Sequence, residues 1–262
     1  MTPTQAGRVL YERAREILRA VEDAKKEVAG FGGPENENIA LGLTPGVMKL
    51  IGRHLMLETR EQVPNVHLSM VEEMSYVLID ALERDEIDIA IAYEAPERSG
   101  LFRIPIIDEE LLLVTSANDD LGSDGRVKLT QVLQRPLAMA TGRDAVRQLI
   151  TAAAERLAIV PNIAFEASSI GMMKNLVASG MAVSVMPYGS AVDELRRGEL
   201  KSLRIEDPTL RRTLYVVRSS RRTAFKNEAK LLETIRAAMN RVAEELGPLG
   251  TKLSALGSPF AP

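Results

Sequence analysis

Hydroxyl and basic side chains recur in this 262-residue sequence where a predicted strand gives way to a predicted helix. The residues at these turns are Thr44, Pro45, Gly46, Ser75, Thr141, Gly142, Arg143, Arg147, Ser168 and Ser169. The first turn of a helix carries unpaired backbone N–H groups and the positive end of the helix dipole, which together favour an anion. Any one of these residues is more often a simple helix cap than a ligand contact. As a group they predict a binding site for a small anion.

The sequence offers little that could catalyse a reaction. His54 lies in an apolar helical stripe and His67 alternates within a predicted strand, so both are expected to be structural. There is no cysteine and no H-E-x-x-H or G-x-S-x-G motif. Adjacent carboxylates such as Glu72 and Glu73 would point to opposite faces of an extended chain. We therefore expect no catalytic residue, no metal site and no cofactor.

Composition points to an ordinary globular protein. The net charge of −3 argues against nucleic-acid binding over the whole surface. One basic cluster is more typical of a solvated surface than of a binding face; its members are Arg211, Arg212, Arg218, Arg221, Arg222 and Lys226. No apolar run is long enough to span a bilayer, and Met1 leads into a charged segment rather than a secretory signal. A cytoplasmic location without a membrane partner is expected.

The elements that position the turns begin with an N-terminal helix that carries the seam of a coiled coil. Apolar or small residues alternate at intervals of four and three, at Leu10, Ala14, Ile17, Val21, Ala24 and Val28. So narrow a stripe favours a partner helix, although a helix lying on its own domain remains the alternative. Glycines and Pro34 end the helix at a joint. The pattern predicts a homodimer or homotetramer.

After this joint the sequence alternates between strand and helix patterns. Predicted strands occupy 39–43, 66–71, 87–93, 101–107, 110–116, 137–140, 162–166, 182–186 and 214–218. Predicted helices begin near residues 45, 75, 145, 170 and 224. Short, mainly apolar strands between helices are typical of an α/β fold. Two such rounds joined by extended segments predict two lobes, with a cleft where the helix N-termini meet.

The same patterns predict the domain boundaries. Residues 1–33 are expected to form the dimerisation helix and its joint. The first lobe takes 34–116 and 218–246, and the second lobe takes 117–217. Gly, Pro and Ser dominate 247–262 without a period, which predicts a disordered tail.

Five segments, taken in chain order, resemble the LysR-type transcriptional regulators. They are TPTQAGR at 2–8, IALGL at 39–43, VPNVHL at 63–68, ALERDEIDIAI at 81–91, and LVASGMAV at 176–183 followed by Pro187. Residues 44–50 and 71–94 are also similar to the nitrogen-assimilation regulators within that family. Asp85 and Ala182 stand where the family usually has glycine, and Gly46 stands where it often has serine.

The resemblance implies a two-lobed periplasmic-binding-protein-like fold behind a linker (coiled-coil) helix, and a role in regulating transcription. It implies that a small anionic effector binds between the lobes. Ser75 corresponds to a position that commonly faces the effector, Tyr93 to a polar contact in some members, and 141–147 to the wall of the second lobe. DNA contact is expected only from a winged helix-turn-helix, which is not part of these 262 residues.

Two other functions are compatible with a two-lobed fold of this kind. One is a solute-binding protein that feeds a transporter, and the other is an enzyme such as a lyase or transferase. A solute-binding protein needs neither a cytoplasmic location nor a heptad helix. An enzyme would need a convergent acid–base pair, which the sequence does not show. An effector-sensing regulator is the function that the sequence favours.

Overall fold

The computed structural model describes residues 4–29, 37–93, 100–121, 124–220 and 225–253. Its helices are α1 (Gln5–Ala29), α2 (Pro45–Gln62), α3 (Ser75–Glu83), α4 (Leu129–Gln134), α5 (Ala145–Arg156), α6 (Ile170–Ala178), α7 (Tyr188–Arg196) and α8 (Glu228–Leu246). Its strands are β1 (Glu37–Leu43), β2 (Val66–Glu72), β3 (Ile89–Tyr93), β4 (Leu101–Ser116), β5 (Arg126–Lys128), β6 (Leu137–Met139), β7 (Ile163–Glu166), β8 (Ser184–Pro187), β9 (Leu200–Glu206), β10 (Arg211–Ser219) and β11 (Gly250–Lys252).

Lobe 1 is built on a sheet in the order β2-β1-β3-β10-β4. Strand β1 pairs in parallel with β2 and β3, and β10 is antiparallel to both β3 and β4. All five residues of β3 are buried, as expected for a strand covered on both faces. Helices α2 and α8 cover one face through side chains such as Ile51, Leu55 and Ile235, and α3 covers the other face through Leu78 and Leu82.

Lobe 2 shares strand β4 with lobe 1. The second part of β4 pairs with β8 and β9, and β9 pairs in parallel with β5. Strands β6 and β7 form a parallel pair that a bridge between Leu137 and Val183 connects to β8. Leu129, Leu133 and Ile150 of helices α4 and α5 are buried in the core of this lobe. The predicted two-lobed α/β fold is confirmed.

The lobes meet along a continuous strand rather than along a loop. Residues 101–107 and 110–116 were predicted as two segments, but they form the single strand β4. Residues Leu101–Glu110 pair with β10 in lobe 1, and Leu111–Ser116 pair with the strands of lobe 2. The chain returns beside this crossing, where the N–H of Leu111 donates to the carbonyl of Leu210 at 2.9 Å.

The strand pairing corrects two predicted boundaries. The second lobe was predicted as 117–217, whereas the crossing lies at residues 110–111 and 210–211, because β10 pairs with the strands of lobe 1 from Arg211 onward. The disorder predicted from Gly247 is wrong for residues 247–253. Strand β11 pairs with β4 there, so backbone hydrogen bonds order a segment whose composition suggested none. The rest of the predicted tail lies outside the described residues.

The predicted N-terminal helix is confirmed as α1, and its seam is exposed. Leu10 is 70% exposed, Ile17 is 64% exposed and Val21 is 45% exposed. Ala24 is exposed and Ala14 is half-buried, while the side chain of Val28 lies outside the described residues. The described seam side chains therefore do not pack into the core of their own domain. None of the described helices has the length and apolar character needed to cross a membrane.

The turn at Asp85 explains why the related family usually has glycine at this position. Asp85 adopts a φ of 57°, in the left-handed region. Aspartate tolerates this conformation better than most residues with a Cβ atom. The turn after α3 therefore keeps its left-handed geometry with a different residue, and the parallel pairing of β3 with β1 is preserved.

Helices α2 and α7 approach closely at their N-terminal ends, where they join lobe 1 to lobe 2. A Cβ atom at Gly189 would lie 2.6 Å from the carbonyl oxygen of Gly46 and 2.8 Å from a methyl carbon of Leu50. A Cβ atom at Gly46 would lie 3.2 Å from the backbone nitrogen and the hydroxyl of Ser190. The contact requires small residues on both helices.

We expect Gly189→Ala to lower the free energy of unfolding by about 1–3 kcal/mol, because the methyl group would overlap backbone that has little room to move. Thermal and urea denaturation would measure the loss. Gly171→Ala is the matched control, since Gly171 is also the second residue of a helix but its Cβ would meet only the hydroxyl of Ser169 at 3.7 Å. That change should be neutral or slightly stabilising. Equal effects of both substitutions would contradict the close contact.

Candidate functional site

A cleft between the two lobes holds about 510 Å³ of space, part of it open to solvent. Of the residues predicted to form the site, it brings together Thr44, Pro45, Gly46 and Ser75. The other residues along its walls are Met74, Met139, Ala140, Asp144, Val146, Ile170, Met173, Val185, Met186, Pro187, Ser190 and Arg212. A concave, mainly apolar pocket with a few polar groups is typical of a small-molecule site.

Three helices begin at this cleft, and none of them is capped by the residue that precedes it. Helix α2 follows Thr44, α3 follows Met74 and α7 follows Pro187, and none of these three residues makes a capping hydrogen bond with its side chain. The first-turn N–H groups of such helices lack intrahelical partners, and the helix dipole adds positive potential. At α7 the Glu109 carboxylate accepts a hydrogen bond from the Tyr188 N–H. The turn after β1 and the turn before α3 therefore give the cleft its electropositive side.

Two polar atoms along the cleft are buried without a hydrogen-bond partner. Thr44 is 5% exposed and its Oγ1 is unpaired, and Arg212 is 8% exposed and its Nε is unpaired. A buried donor or acceptor without a partner costs about 1–3 kcal/mol. Native proteins leave few such groups unpaired, and those that remain often mark the place of a water molecule, an ion or a ligand.

Strand pairing brings Arg212 between two other buried side chains. In β10, Arg212 pairs with Glu109 of β4 and Leu214 pairs with Tyr93 of β3. The guanidinium carbon of Arg212 lies 3.2 Å from the centre of the Tyr93 ring, a cation–π contact. Its Nε lies 4.0 Å from Oε2 of Glu109, which is close enough for charge attraction but too far for a hydrogen bond.

Tyr93 and Glu109 form the floor beneath Arg212. The Tyr93 hydroxyl donates to Oε2 of Glu109 at 2.5 Å. Burial raises the pKa of the Tyr93 hydroxyl, and the negative charge of Glu109 raises it further. Burial also raises the pKa of the Glu109 carboxyl, although Arg212 and the Tyr93 hydroxyl act in the opposite direction. Tyr93, predicted as an effector contact, is not among the residues along the cleft but supports Arg212.

Asp144 is an acidic group on the wall formed by lobe 2. It precedes α5, and its Oδ1 accepts hydrogen bonds from the N–H groups of Val146 at 3.0 Å and Arg147 at 3.1 Å. Thr141 and Gly142 were predicted to open this helix, but it begins at Ala145. The carboxylate of Asp144 already accepts hydrogen bonds from two N–H groups of its first turn. The free N–H groups expected for an anion at this helix start are absent for that reason.

Six other predicted site residues lie outside the cleft walls. They are Thr141, Gly142, Arg143, Arg147, Ser168 and Ser169. Arg143 instead reaches lobe 1, where it pairs with Asp80 at 2.8 Å and stacks over the Tyr76 ring at 4.6 Å. Arg147 lies 3.5 Å from Glu166, and the Ser169 hydroxyl accepts a hydrogen bond from the N–H of Met172 as the cap of α6.

The sequence analysis missed Arg212 because it was counted within a basic cluster expected to be solvated. That expectation is wrong for Arg212 and for Arg218, which is buried against Glu228 at 3.0 Å. Alternation along β10 was the usable signal, because Arg212 shares its buried face with Leu214 and Val216. Arg221 and Arg222 of the same cluster lie outside the described residues.

The arrangement is suited to binding rather than to reaction. No group of three or more His, Cys, Asp or Glu side chains that could hold a metal ion occurs among the residues that the structure describes. The cleft combines an arginine, three helix starts and an aspartate with methionine, valine and isoleucine walls. Such a lining can orient a small polar molecule and enclose its apolar part.

Comparisons with known proteins agree with this geometry. The family described as "LysR substrate binding domain" matches residues 32–240. The nitrogen assimilation regulatory protein nac of Klebsiella aerogenes is 29% identical over 246 residues, which cover 94% of this chain and 80% of that protein. The similarity to nitrogen-assimilation regulators expected from residues 44–50 and 71–94 is thus supported.

Two solved structures show the same fold. The regulatory domain of CcmR from Synechocystis PCC6803, in complex with 2-PG, matches with a TM-score of 0.69 and 20% identity over 78% of this chain and 97% of that chain. The effector binding domain of QuiR, in complex with shikimate, matches with a TM-score of 0.68 and 18% identity over 79% of this chain and 97% of that chain. The predicted periplasmic-binding-protein-like fold is confirmed.

The raised pKa of Glu109 predicts a pH-dependent contribution to stability. A carboxyl whose pKa is higher in the folded than in the unfolded protein contributes stability below its unfolded pKa, and that contribution is lost as the pH rises through its folded pKa. The free energy of unfolding of wild type relative to Glu109→Gln should therefore fall as the pH rises from about 4. Urea denaturation across this range would measure the difference.

Asp119→Asn serves as a control, because the pKa of Asp119 is shifted in the opposite direction to that of Glu109. Burial raises the pKa of Asp119, but the Leu121 N–H and Arg135 outweigh burial, so that the pKa is lowered overall. Wild type should gain stability relative to this variant as the pH rises. A difference between wild type and Glu109→Gln that does not change with pH would contradict the assignment of a raised pKa to Glu109.

Proposed function

This chain belongs to the LysR substrate binding domain family, and we propose that it is the effector-sensing and oligomerisation portion of a LysR-type transcriptional regulator. The cleft between its lobes binds a small anionic metabolite, and binding changes how the full regulator acts on transcription. In this proposal the protein is a cytoplasmic binding protein and not an enzyme. Regulatory proteins among its relatives and the effector-bound domains that share its fold support the proposal.

The observation that carries the proposal is the pair of buried, unpaired polar atoms along the cleft. Thr44 precedes α2 and Arg212 lies in β10, yet both residues line the same cavity, and the Oγ1 of Thr44 and the Nε of Arg212 are unpaired. An anion that accepts hydrogen bonds from these groups would remove the cost of leaving them unpaired. The uncapped starts of α2 and α3 add positive potential at the same place.

Binding can influence the rest of the protein because the cleft is bounded by both lobes. Several ion pairs cross between the lobes, among them Arg143 with Asp80 at 2.8 Å and Lys49 with Asp193 at 2.6 Å. An effector that contacts both walls stabilises the arrangement of the lobes in which it can reach both walls at once. It shifts the population only to the extent that it binds this arrangement more tightly than others.

The solute-binding and enzymatic alternatives have less support. A solute-binding protein has no need of α1, whose seam residues Leu10, Ile17 and Val21 are exposed. An enzyme needs a convergent acid–base pair that contacts the bound molecule. Glu109 accepts a hydrogen bond from the Tyr93 hydroxyl and is not among the residues along the cleft, so among the described residues Asp144 has no acidic or basic partner of that kind there.

Helix α1 provides the oligomerisation part of the proposal. The seam was predicted at Leu10, Ala14, Ile17, Val21, Ala24 and Val28. Large apolar side chains that stay exposed along one helical stripe are stabilised when a second helix covers them. We assign this role to pairing between copies of the chain, as a homodimer or homotetramer.

We expect Thr44→Val to weaken binding of a small carboxylate or phosphate by about three- to tenfold, because the substitution removes one hydrogen-bonding group at nearly constant volume. Thermal-shift screening of small carboxylates and phosphate esters would find a ligand, and calorimetry would measure its Kd. The apo variant should be as stable as wild type or slightly more stable, since a buried unpaired hydroxyl is removed.

Thr59→Val is the matched control for this experiment. Thr59 is buried in α2, the helix that Thr44 precedes, and its Oγ1 is also unpaired, but it does not line the cleft. This variant should bind every ligand as wild type does. If both threonine variants bind with unchanged affinity, Thr44 is not part of the site, and if no anion binds to wild type, the proposed function is wrong.

We expect Val21→Lys to weaken self-association at least tenfold, because a charged side chain would be placed in a desolvated seam. Val9→Lys is its matched control, since Val9 is exposed on the same helix but lies outside the seam. Both changes replace an exposed valine, so neither should unfold the lobes. Analytical ultracentrifugation would compare the two variants. Association that survives Val21→Lys would show that the seam is not the interface.

A further inference from the structure

The two walls of the cleft carry opposite charges. Arg212 and Thr44 are contributed by lobe 1, while Asp144 is contributed by lobe 2 and is 7% exposed. The Oδ1 of Asp144 accepts two backbone N–H groups, whereas its Oδ2 accepts no hydrogen bond from the described residues. One carboxylate oxygen is therefore left to interact with a bound molecule. The cleft is both electropositive and electronegative, on different walls.

The surfaces between the charged walls are apolar. Met139, Met173 and Ile170 come from lobe 2, and Met74 comes from the turn that precedes α3 in lobe 1. Methionine side chains adapt to the shape of an apolar group and make favourable contacts with aromatic rings. A ligand that fits this lining has a compact hydrocarbon skeleton, and its polar groups lie close to the two charged walls.

We propose that the effector is a small carboxylic acid that also carries an ammonium or hydroxyl group on an apolar skeleton, as in an amino acid or a hydroxy acid. This inference rests on the proposed function of the same cleft. The carboxylate of the ligand pairs with Arg212, Thr44 and the uncapped helix starts. Its ammonium or hydroxyl group donates to Oδ2 of Asp144, which is complementary to the charge on that wall.

Asp144 also selects against other anions. A simple carboxylate of the same skeleton covers Oδ2 of Asp144 and displaces water from it without offering a donor in return, which costs affinity. A dicarboxylate of similar length would place a second negative charge near that of Asp144, and like charges in a poorly solvated cleft repel strongly. The aspartate thus serves as a specificity-determining residue in addition to capping α5.

Calorimetric titration with ligands that share one skeleton tests the inference. The first set is L-leucine, L-2-hydroxy-4-methylpentanoate and 4-methylpentanoate, and the second set is L-phenylalanine, L-3-phenyllactate and 3-phenylpropanoate. Each would be titrated into wild type, Asp144→Asn and Asp119→Asn. Asparagine is a good helix cap, so the first variant should fold and keep α5 in place. Asp119 also accepts a backbone N–H, from Leu121, but lies outside the cleft.

In at least one set, wild type should bind the acid with an ammonium or hydroxyl group about tenfold or more tightly than the simple acid. Asp144→Asn should reduce this preference to less than about threefold, mainly by weakening the ligands with a donor group. The simple acid should bind this variant as well as wild type or better, because a negative charge has been removed. Asp119→Asn should retain the full preference.

The outcomes separate this inference from the proposed function on which it rests. If simple acids bind and Thr44→Val weakens them, but the donor group brings no preference, the inference about Asp144 is overturned and the anion site stands. A preference that persists in Asp144→Asn would also overturn the inference. If no member of either set binds wild type at millimolar concentration while another small carboxylate or phosphate ester does, the inference is overturned and the anion site stands. If no anion of either kind binds, the anion-binding function fails and the inference fails with it.

Discussion

The guanidinium of Arg212 is buried between the ring of Tyr93 and the carboxylate of Glu109, close to the point where the chain crosses between the lobes. A charge removed from water is stable only when neighbouring groups compensate for the lost hydration. The register of β3, β10 and β4 supplies those groups, because Arg212 pairs with Glu109 and Leu214 pairs with Tyr93. The core of lobe 1 therefore holds a cation in the wall of the cleft, and an anion site depends on that cation.

A second constraint is that the two lobes share strands. Strand β4 pairs with lobe 1 up to Glu110 and with lobe 2 from Leu111 onward, so the lobes are joined through hydrogen-bonded backbone. The close contact of Gly46 with Gly189 adds a second junction, between α2 and α7. Gly46 stands where related proteins often have serine, and Ser190 supplies a hydroxyl next to that position. A hydroxyl therefore remains at this part of the cleft, although it comes from the other lobe.

Helix starts add to the charges of Arg212 and Asp144 in the electrostatics of the cleft. Helices α2 and α3 begin there without side-chain caps, whereas Asp144 caps α5 and thereby reverses the local charge. The same kind of turn, from strand to helix, thus gives an electropositive wall in one place and an acidic wall in another. The difference lies in one residue before the helix, and in the proposed binding mode it decides which end of the ligand each lobe accepts.

Periodicity and turn residues in the sequence were enough to predict much of the α/β order, the two lobes, the N-terminal helix and the contribution of residues 44–46 and Ser75 to the cleft. They did not predict β5, α4, α7 or β9. These features depend on neighbouring residues, so that a local pattern carries them. The place of Arg212 and the supporting role of Tyr93 were decided by the tertiary structure. Whether an arginine is solvated or buried depends on which strands flank its own, and those strands come from distant parts of the sequence. The continuity of β4 was likewise decided by its pairing partners, because hydrogen bonds to β10, β8 and β9 hold extended a segment whose own pattern suggested a break.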